Sequence, residues 1–233
     1  MTAVAIMQPY LFPYIGYWQL LQASDCFVVY DDVNYINRGW INRNRILVNG
    51  EPLLVTLPLL QASQNRRIRD IEIAPAAQWR SRLLRTVEMA YRKTPCFDQV
   101  FPLVERILGH DDTNLAGFLG HQLHCLARFM GLETRIVASS TAYQNSQLAG
   151  QERILDICRQ ERASTYINAQ GGRSLYEPTA FASQHIDLRF IAMRPLPYPQ
   201  RNASFTPYLS IIDALMEVGP QGIGPHLKAF DYL

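Results

Sequence analysis

Apolar residues recur along this chain with two periods, and the points where one gives way to the other mark out its elements. Val4-Ala5-Ile6-Met7 is a continuous apolar run with the length of a buried strand. Cys26-Phe27-Val28-Val29-Tyr30 is a second. Between them lies a loop, Gln8 to Ile15, punctuated by Pro9 and Pro13, neither of which fits inside a helix. Gly16 opens a segment in which Tyr17, Leu20, Leu21 and Ser24 fall at helical spacing, and Asp25 closes it. Strand, loop, helix, strand predicts a βαβ unit with parallel strands and a right-handed crossover. Such units bind ligands beyond the carboxyl ends of their strands. That rule sets the Gln8–Gly16 loop beside Asp31-Asp32, the acidic pair ending the second run, as the first candidate site.

The pattern then changes. Arg45-Ile46-Leu47-Val48 and Pro52-Leu53-Leu54-Val55-Thr56-Leu57 flank Asn49-Gly50, which predicts a hairpin whose second arm Pro52 shortens. Ile71-Glu72-Ile73 reads as a further short strand, so residues 34–73 form a small β excursion over the first strand's loop. Three helices follow. Ala76–Lys93 carries Trp79, Leu83, Val87 and Ala90 on one stripe. Cys96–Leu108 has Pro95 suited to its first turn, and Thr113–Gly131 has Asp112 or Thr113 as N-cap. Strand and helix alternate again afterwards, with strands at Thr134–Ala138, Ser164–Asn168 and Ile186–Ile191 and a helix at Leu148–Glu161. Phe205 to Val218 ends in a helix that Gly219-Pro220 should stop, with Ser210 or Thr206 near its start. Alternation at both ends predicts a single α/β domain over 1–233, with a core of 1–33 and 132–233 and an insertion of 34–131. Its expected architecture is a Rossmann-like, open, mostly parallel sheet carrying a β-hairpin and helical insertion.

Composition narrows the function. Hydrophobic content of 48% and charged content of 18% are globular values. A net charge of +2, with basic residues mixed among acids, makes nucleic acid an unfavoured main partner. The start of the chain lacks a signal peptide's basic stretch and long apolar core, and no apolar run would span a bilayer. A cytoplasmic protein without membrane insertion is expected. Cys26, Cys96, Cys125 and Cys158 form no CxxC pair and read as small hydrophobes. His121 and His124 fall off the buried stripe of Leu115, Phe118, Leu119, Leu126 and Met130, at about 100° per residue. No metal site is predicted.

Several residues carry candidate chemistry. Gln8, Pro9 and Tyr10 with Gly16 and Tyr17 join a turn to a helix N-terminus, whose N–H groups and dipole favour an anion. The plainer alternative is a proline-shaped loop with its aromatics packed beneath. Asp31-Asp32 suits a hydrated Mg²⁺ on a nucleotide, a ribose, or nearby arginines, and equally a solvated turn. Arg38, Arg43 and Arg45 with Asn37, Asn42 and Asn44 read as an anion clamp, with Trp40 to stack on a base or sugar. The alternative there is a charged strand edge that blocks aggregation. Gly171, Gly172 and Arg173 follow the Ser164–Asn168 strand, where backbone N–H groups and a guanidinium can meet negative charge, or where glycines serve only a turn. Ser139-Ser140-Thr141 holds an equivalent place, and Ser210 with Asp213 reads as a helix cap and its dipole partner, the alternative being that the two complete the pocket. Arg66, Arg67 and Arg69 read as a solvated face.

Two resemblances bear on function. QPYLFPYIGYWQLLQASDCFVVYDDVNY at residues 8–35, then GWINRNRI, resembles the opening of the WbqC-like family, as do RIVAS at Arg135–Ser139, TYINAQGGRSLY at Thr165–Tyr176 and FTPYLSIIDALMEVG at Phe205–Gly219. That resemblance implies a role in bacterial surface polysaccharide, notably O-antigen. The βαβ unit is also similar, more distantly, to HxGH nucleotidyltransferases and pantothenate synthetases, but Gly16-Tyr17 stands where Gly-His would, and both histidines are missing. Together they imply a transferase or ATP-dependent ligase that acts on a nucleotide or nucleotide-linked sugar, for instance amino-acyl or nucleotidyl transfer to an amino sugar. ATP or another nucleoside triphosphate with Mg²⁺ is the implied cofactor, and a homodimer is left open. In that scheme Arg43, Asp32 and Tyr17 are catalytic. A non-catalytic nucleotide-sugar-binding or scaffold protein of degenerate fold is the rival reading.

Overall fold

The computed structural model describes residues 2–201 and 204–233. The first βαβ unit forms as the spacing predicts: β1 (Ala3–Met7), α1 (Ile15–Gln22) and β2 (Cys26–Val29), with the two strands parallel. Three more strands extend the sheet, β7 (Arg135–Val137), β8 (Thr165–Ala169) and β9 (Asp187–Met193), and β10 (Phe230–Tyr232) closes one edge. The order is β10-β9-β8-β1-β2-β7, parallel throughout except for β10, which runs antiparallel to β9. The fold is therefore the open, mostly parallel, Rossmann-like α/β sheet.

Both faces of this sheet are covered, which is why its central strands read as unbroken apolar runs. Alternate residues point to opposite faces. Ala5, Phe27 and Val29 pack into one core with α1, and Val4, Ile6, Cys26 and Val28 pack into a second with α5 (Gly150–Gln160) and the short helix α6 (Pro178–Ala182).

Residues 43–129 supply much of the first core. β3 (Arg43–Val48) and β4 (Glu51–Thr56) pair in register around Asn49-Gly50, both in the left-handed region at φ 51° and 83° as a two-residue hairpin turn requires. A second pairing, β5 (Leu59–Leu60) with β6 (Glu72–Ile73), was not predicted on its β5 side. Residues 76–93 do not form one helix. Ala76–Gln78 is a 3-10 turn, Trp79 breaks the geometry at φ −137°, and α2 spans Arg80–Tyr91. α3 (Phe97–Leu108) and α4 (Leu115–Phe129) follow. The α4 cap is Asn114, whose side chain accepts from Gly117 N, in place of Asp112 or Thr113. Gly219-Pro220 does interrupt α7 (Ile211–Gly222) as expected: Gly219 is non-helical at φ 68° and ψ 179°, and only a short helical stretch follows it before α8 (Gly224–Leu227). Among the described residues, no helix is long and apolar enough to cross a membrane, and no cluster of three or more His, Cys, Asp or Glu side chains is arranged to hold a metal.

Candidate functional site

After β1 the chain moves through α1 to β2 and later β7 on one side, then returns through α5 to place β8 on β1's other side. The carboxyl ends of β1 and β8 thus bound the switch point where open α/β sheets bind ligands. A cleft of about 650 Å³ lies there, reached by Met7 and Gln8 from β1 and by Asn168 and Ala169 from β8.

The loop from residue 8 to 14 forms its floor, and distant elements hold it. Gln122 of α4, fully buried, accepts from Phe12 N at 2.9 Å and donates to Tyr10 O at 2.9 Å. Asn44 of β3 donates to Leu11 O and Phe12 O at 3.0 and 2.8 Å. Ser210, the cap of α7, donates to Phe12 O at 3.0 Å. These bonds keep Phe12 in the left-handed region at φ 42°, a conformation costing roughly 1–2 kcal/mol for such a residue. The loop is over-determined from three sides.

Above that floor the cleft is aromatic, with Tyr10, Tyr14, Tyr17, Tyr30, Tyr176 and Tyr208 lining it alongside Trp40. Tyr17 donates to Gln8 O at 3.1 Å, and Tyr176 lies 3.0 Å from both Tyr166 Oη and Asn168 Nδ2. Among the described residues, no hydrogen bond occupies the hydroxyls of Tyr10, Tyr14 or Tyr208, or the side-chain amide of Gln8. Burial raises the phenols of Tyr10, Tyr14, Tyr17, Tyr30 and Tyr176 above their ordinary value, so they stay neutral. Arg45 is the one charged residue among the described lining residues. Its guanidinium lies 5.6 Å from the centre of the Trp40 ring, and among the described residues it has no carboxylate partner and its buried Nε has no hydrogen bond.

Of the residues singled out from sequence, Gln8, Tyr10, Gly16, Tyr17, Trp40, Asn44, Arg45, Gly171 and Gly172 come together at this cleft. The others do not line it. Asp32 turns into the protein, where Arg153 of α5 and Ser140 bind its two oxygens, and Asp31 accepts from Ser139 at 2.8 Å and from Ser140. Arg43 folds back to donate to the carbonyls of Gly39 and Arg38. Asn42 is buried between Tyr35 Oη and Leu57 O, Pro9 is buried, and Asn37 is exposed. Arg173 lies 6.0 Å from the Phe190 ring centre.

Three glycines also act differently from expectation. An added Cβ on Gly16 would meet the Tyr14 ring at 2.4 Å, so its missing side chain makes room for that ring over the helix start. Gly171 and Gly172 sit in a 3-10 turn without a positive φ. Gln122 escaped notice, although a polar residue in phase with Leu115, Leu119 and Leu126 on a buried stripe is the signal that marks it.

The site's composition restricts its chemistry. It offers neutral hydroxyls, an amide, ring faces and one unpaired cation, with no carboxylate, lysine or histidine among the described lining residues. Such a set is chemically suited to an anionic group attached to rings, through bidentate bonds and stacking. It does not fit a protein-held Mg²⁺, which requires carboxylate oxygens that Asp31 and Asp32 have already committed.

The profile of the WbqC-like protein family matches residues 8–224. The uncharacterized protein Rv1507c of Mycobacterium tuberculosis is 29% identical over 224 residues, covering 95% of this chain and 96% of its own length. No solved structure matches.

Proposed function

This chain belongs to the WbqC-like protein family, and we propose that its cleft binds a nucleotide or nucleotide-linked sugar in the cytoplasmic making or decorating of a bacterial surface polysaccharide such as O-antigen. Arg45 carries this reading: a guanidinium that, among the described residues, has no counter-ion and an unpartnered buried Nε, at a cleft of otherwise neutral groups. A phosphate supplies the missing charge and bidentate acceptor. Trp40 and the tyrosine rings offer faces to a base or a pyranose, while Gln8 and the hydroxyls of Tyr10, Tyr14 and Tyr208 suit sugar hydroxyls. The reaction we assign is group transfer, by a transferase or an ATP-dependent ligase, such as amino-acyl or nucleotidyl transfer to an amino sugar. Arg45 would steady charge on the leaving phosphate, and the loop would hold the two reactants in line. We route no step through Mg²⁺.

One observation favours a second reading. Among the described residues, no side chain that titrates near neutrality lines the cleft, and a protein that only senses nucleotide-linked sugars needs no general base.

A thermal-shift panel of ATP, CTP, UTP and dTTP with Mg²⁺, and of UDP- and dTDP-sugars, tests both. A ligand at a hundred times its dissociation constant adds roughly 2.7 kcal/mol, several degrees in Tm. We expect a shift from at least one nucleotide or nucleotide-linked sugar, and at least tenfold weaker binding by Arg45→Ala at little cost to the unliganded Tm. No shift across the panel would remove the proposal. Binding without turnover on any amino-sugar acceptor would select the sensor.

A further inference from the structure

Beside the cleft lies a second cavity of about 210 Å³, with Tyr14 and Tyr208 lining both, their rings edge to face at 6.0 Å. We propose that this cavity is a separate binding site for a small, uncharged, mostly apolar molecule that carries one hydrogen-bond donor, an O–H or N–H group.

Gln19 is the reason. It lines the cavity from α1 and is 1% exposed. Its Nε2 donates to His226 O at 2.8 Å and Ala229 O at 2.9 Å. Two carbonyls can only accept, so the amide's orientation is fixed by its partners. Oε1 is thereby left as a buried acceptor, and it has no hydrogen-bond partner. A buried acceptor left in that condition is costly, and natural interiors seldom leave one so. A donor entering the cavity would satisfy it.

The remaining walls define the rest of the ligand. Ile15, Leu196, Phe205 and Leu209 are apolar, which calls for an apolar body. His226 also lines the cavity, with Nδ1 3.2 Å from Leu196 O, so Nδ1 carries the hydrogen and Nε2 is a second acceptor. No carboxylate lines the cavity among the described residues, and the guanidinium that does, Arg194, lies 3.7 Å from Asp231. A cationic ligand would find no counter-charge, and an anionic one would meet two acceptors. The inference stands whatever occupies the main cleft.

Phenol and toluene, alike in size and differing in the O–H group, are the probes. A crystal structure with phenol should place its oxygen within about 3.2 Å of Gln19 Oε1. By titration, phenol should bind one-to-one and weaken at least tenfold in Leu196→Trp, which fills the cavity from a side chain 42% exposed and outside the main cleft. Toluene should lose as much in that variant while binding the native protein more weakly than phenol. A water on Oε1 with no phenol in the cavity at saturation would overturn the proposal, even if the variant failed to fold. Unchanged phenol affinity in a folded Leu196→Trp would overturn it too. Nucleotide-linked sugars bind or fail to bind that variant independently, so the two sites are judged apart.

Discussion

At the scale of single residues, Asp32 shows how far a side chain's role depends on its neighbours. It ends a strand that should deliver it to the ligand, yet its carboxylate and the Arg153 guanidinium form a buried pair at 2.5 Å, 1% and 4% exposed. Burial by itself raises the Asp32 pKa, but hydrogen bonds from Arg153 and Ser140 and the guanidinium's charge outweigh it and hold the group below its ordinary value. A group depressed in this way adds stability above its unfolded value near 3.8 and loses it as the pH falls through the folded one. Asp31, raised by burial, contributes with the opposite sign. Asp32→Ala should therefore cost about 3–5 kcal/mol in urea denaturation at pH 7, since it strands a buried guanidinium. The variant should also lose part of the native protein's decline below pH 4. An unchanged acid limb would show that the pair contributes nothing there. The sequence displayed Asp31-Asp32 plainly but not their partners. Ser139 and Ser140 are brought to them by β2 lying beside β7 and Arg153 by α5 packing on that face of the sheet, and neither strand order nor helix packing is written in local spacing.

At the scale of elements, the periodicities sufficed where each element makes its own contacts. The first βαβ unit, the Asn49-Gly50 hairpin and the apolar stripe of α4 all follow from them. What escaped is the conformation of the 8–14 loop, which no local signal sets, because Gln122, Asn44 and Ser210 impose it from elsewhere. The two prolines announce a loop and leave its path open. Gln122→Leu tests this control. It strips partners from Phe12 N and Tyr10 O, at about 1–3 kcal/mol for each buried group left unmatched. The expected result is a clear fall in Tm together with weakened ligand binding in the cleft, although residue 122 does not line it. Normal affinity in a destabilised protein would mean that the loop keeps its shape without the clamp.

At the scale of the whole molecule, alternation of strands and helices at both ends of the chain made the α/β class legible, whereas the antiparallel β10 was not, being three residues with no repeating pattern. Packing on both faces of the sheet also governs the thiols. Burial pushes Cys26 up to about 11, with Glu161 adding to it, and Cys158 up to about 12, so at pH 8 each is a thiolate roughly one part in a thousand or less. Cys96 and Cys125 are half-buried. A thiol reagent such as DTNB should label at most two of the four cysteines in the native protein and all four after denaturation. Rapid labelling of all four without denaturant would mean that the sheet opens readily. The clamp on the 8–14 loop also has a consequence for synthesis on the ribosome. Phe12 leaves the exit tunnel well ahead of its last partner, Ser210, which follows 198 residues later. At about 5–20 residues per second that gap is roughly 10–40 s. Until it closes, the nascent chain carries a row of aromatic rings on a loop whose clamp is incomplete, so a chaperone that shields the N-terminal segment should matter more to this protein's yield than to its final stability.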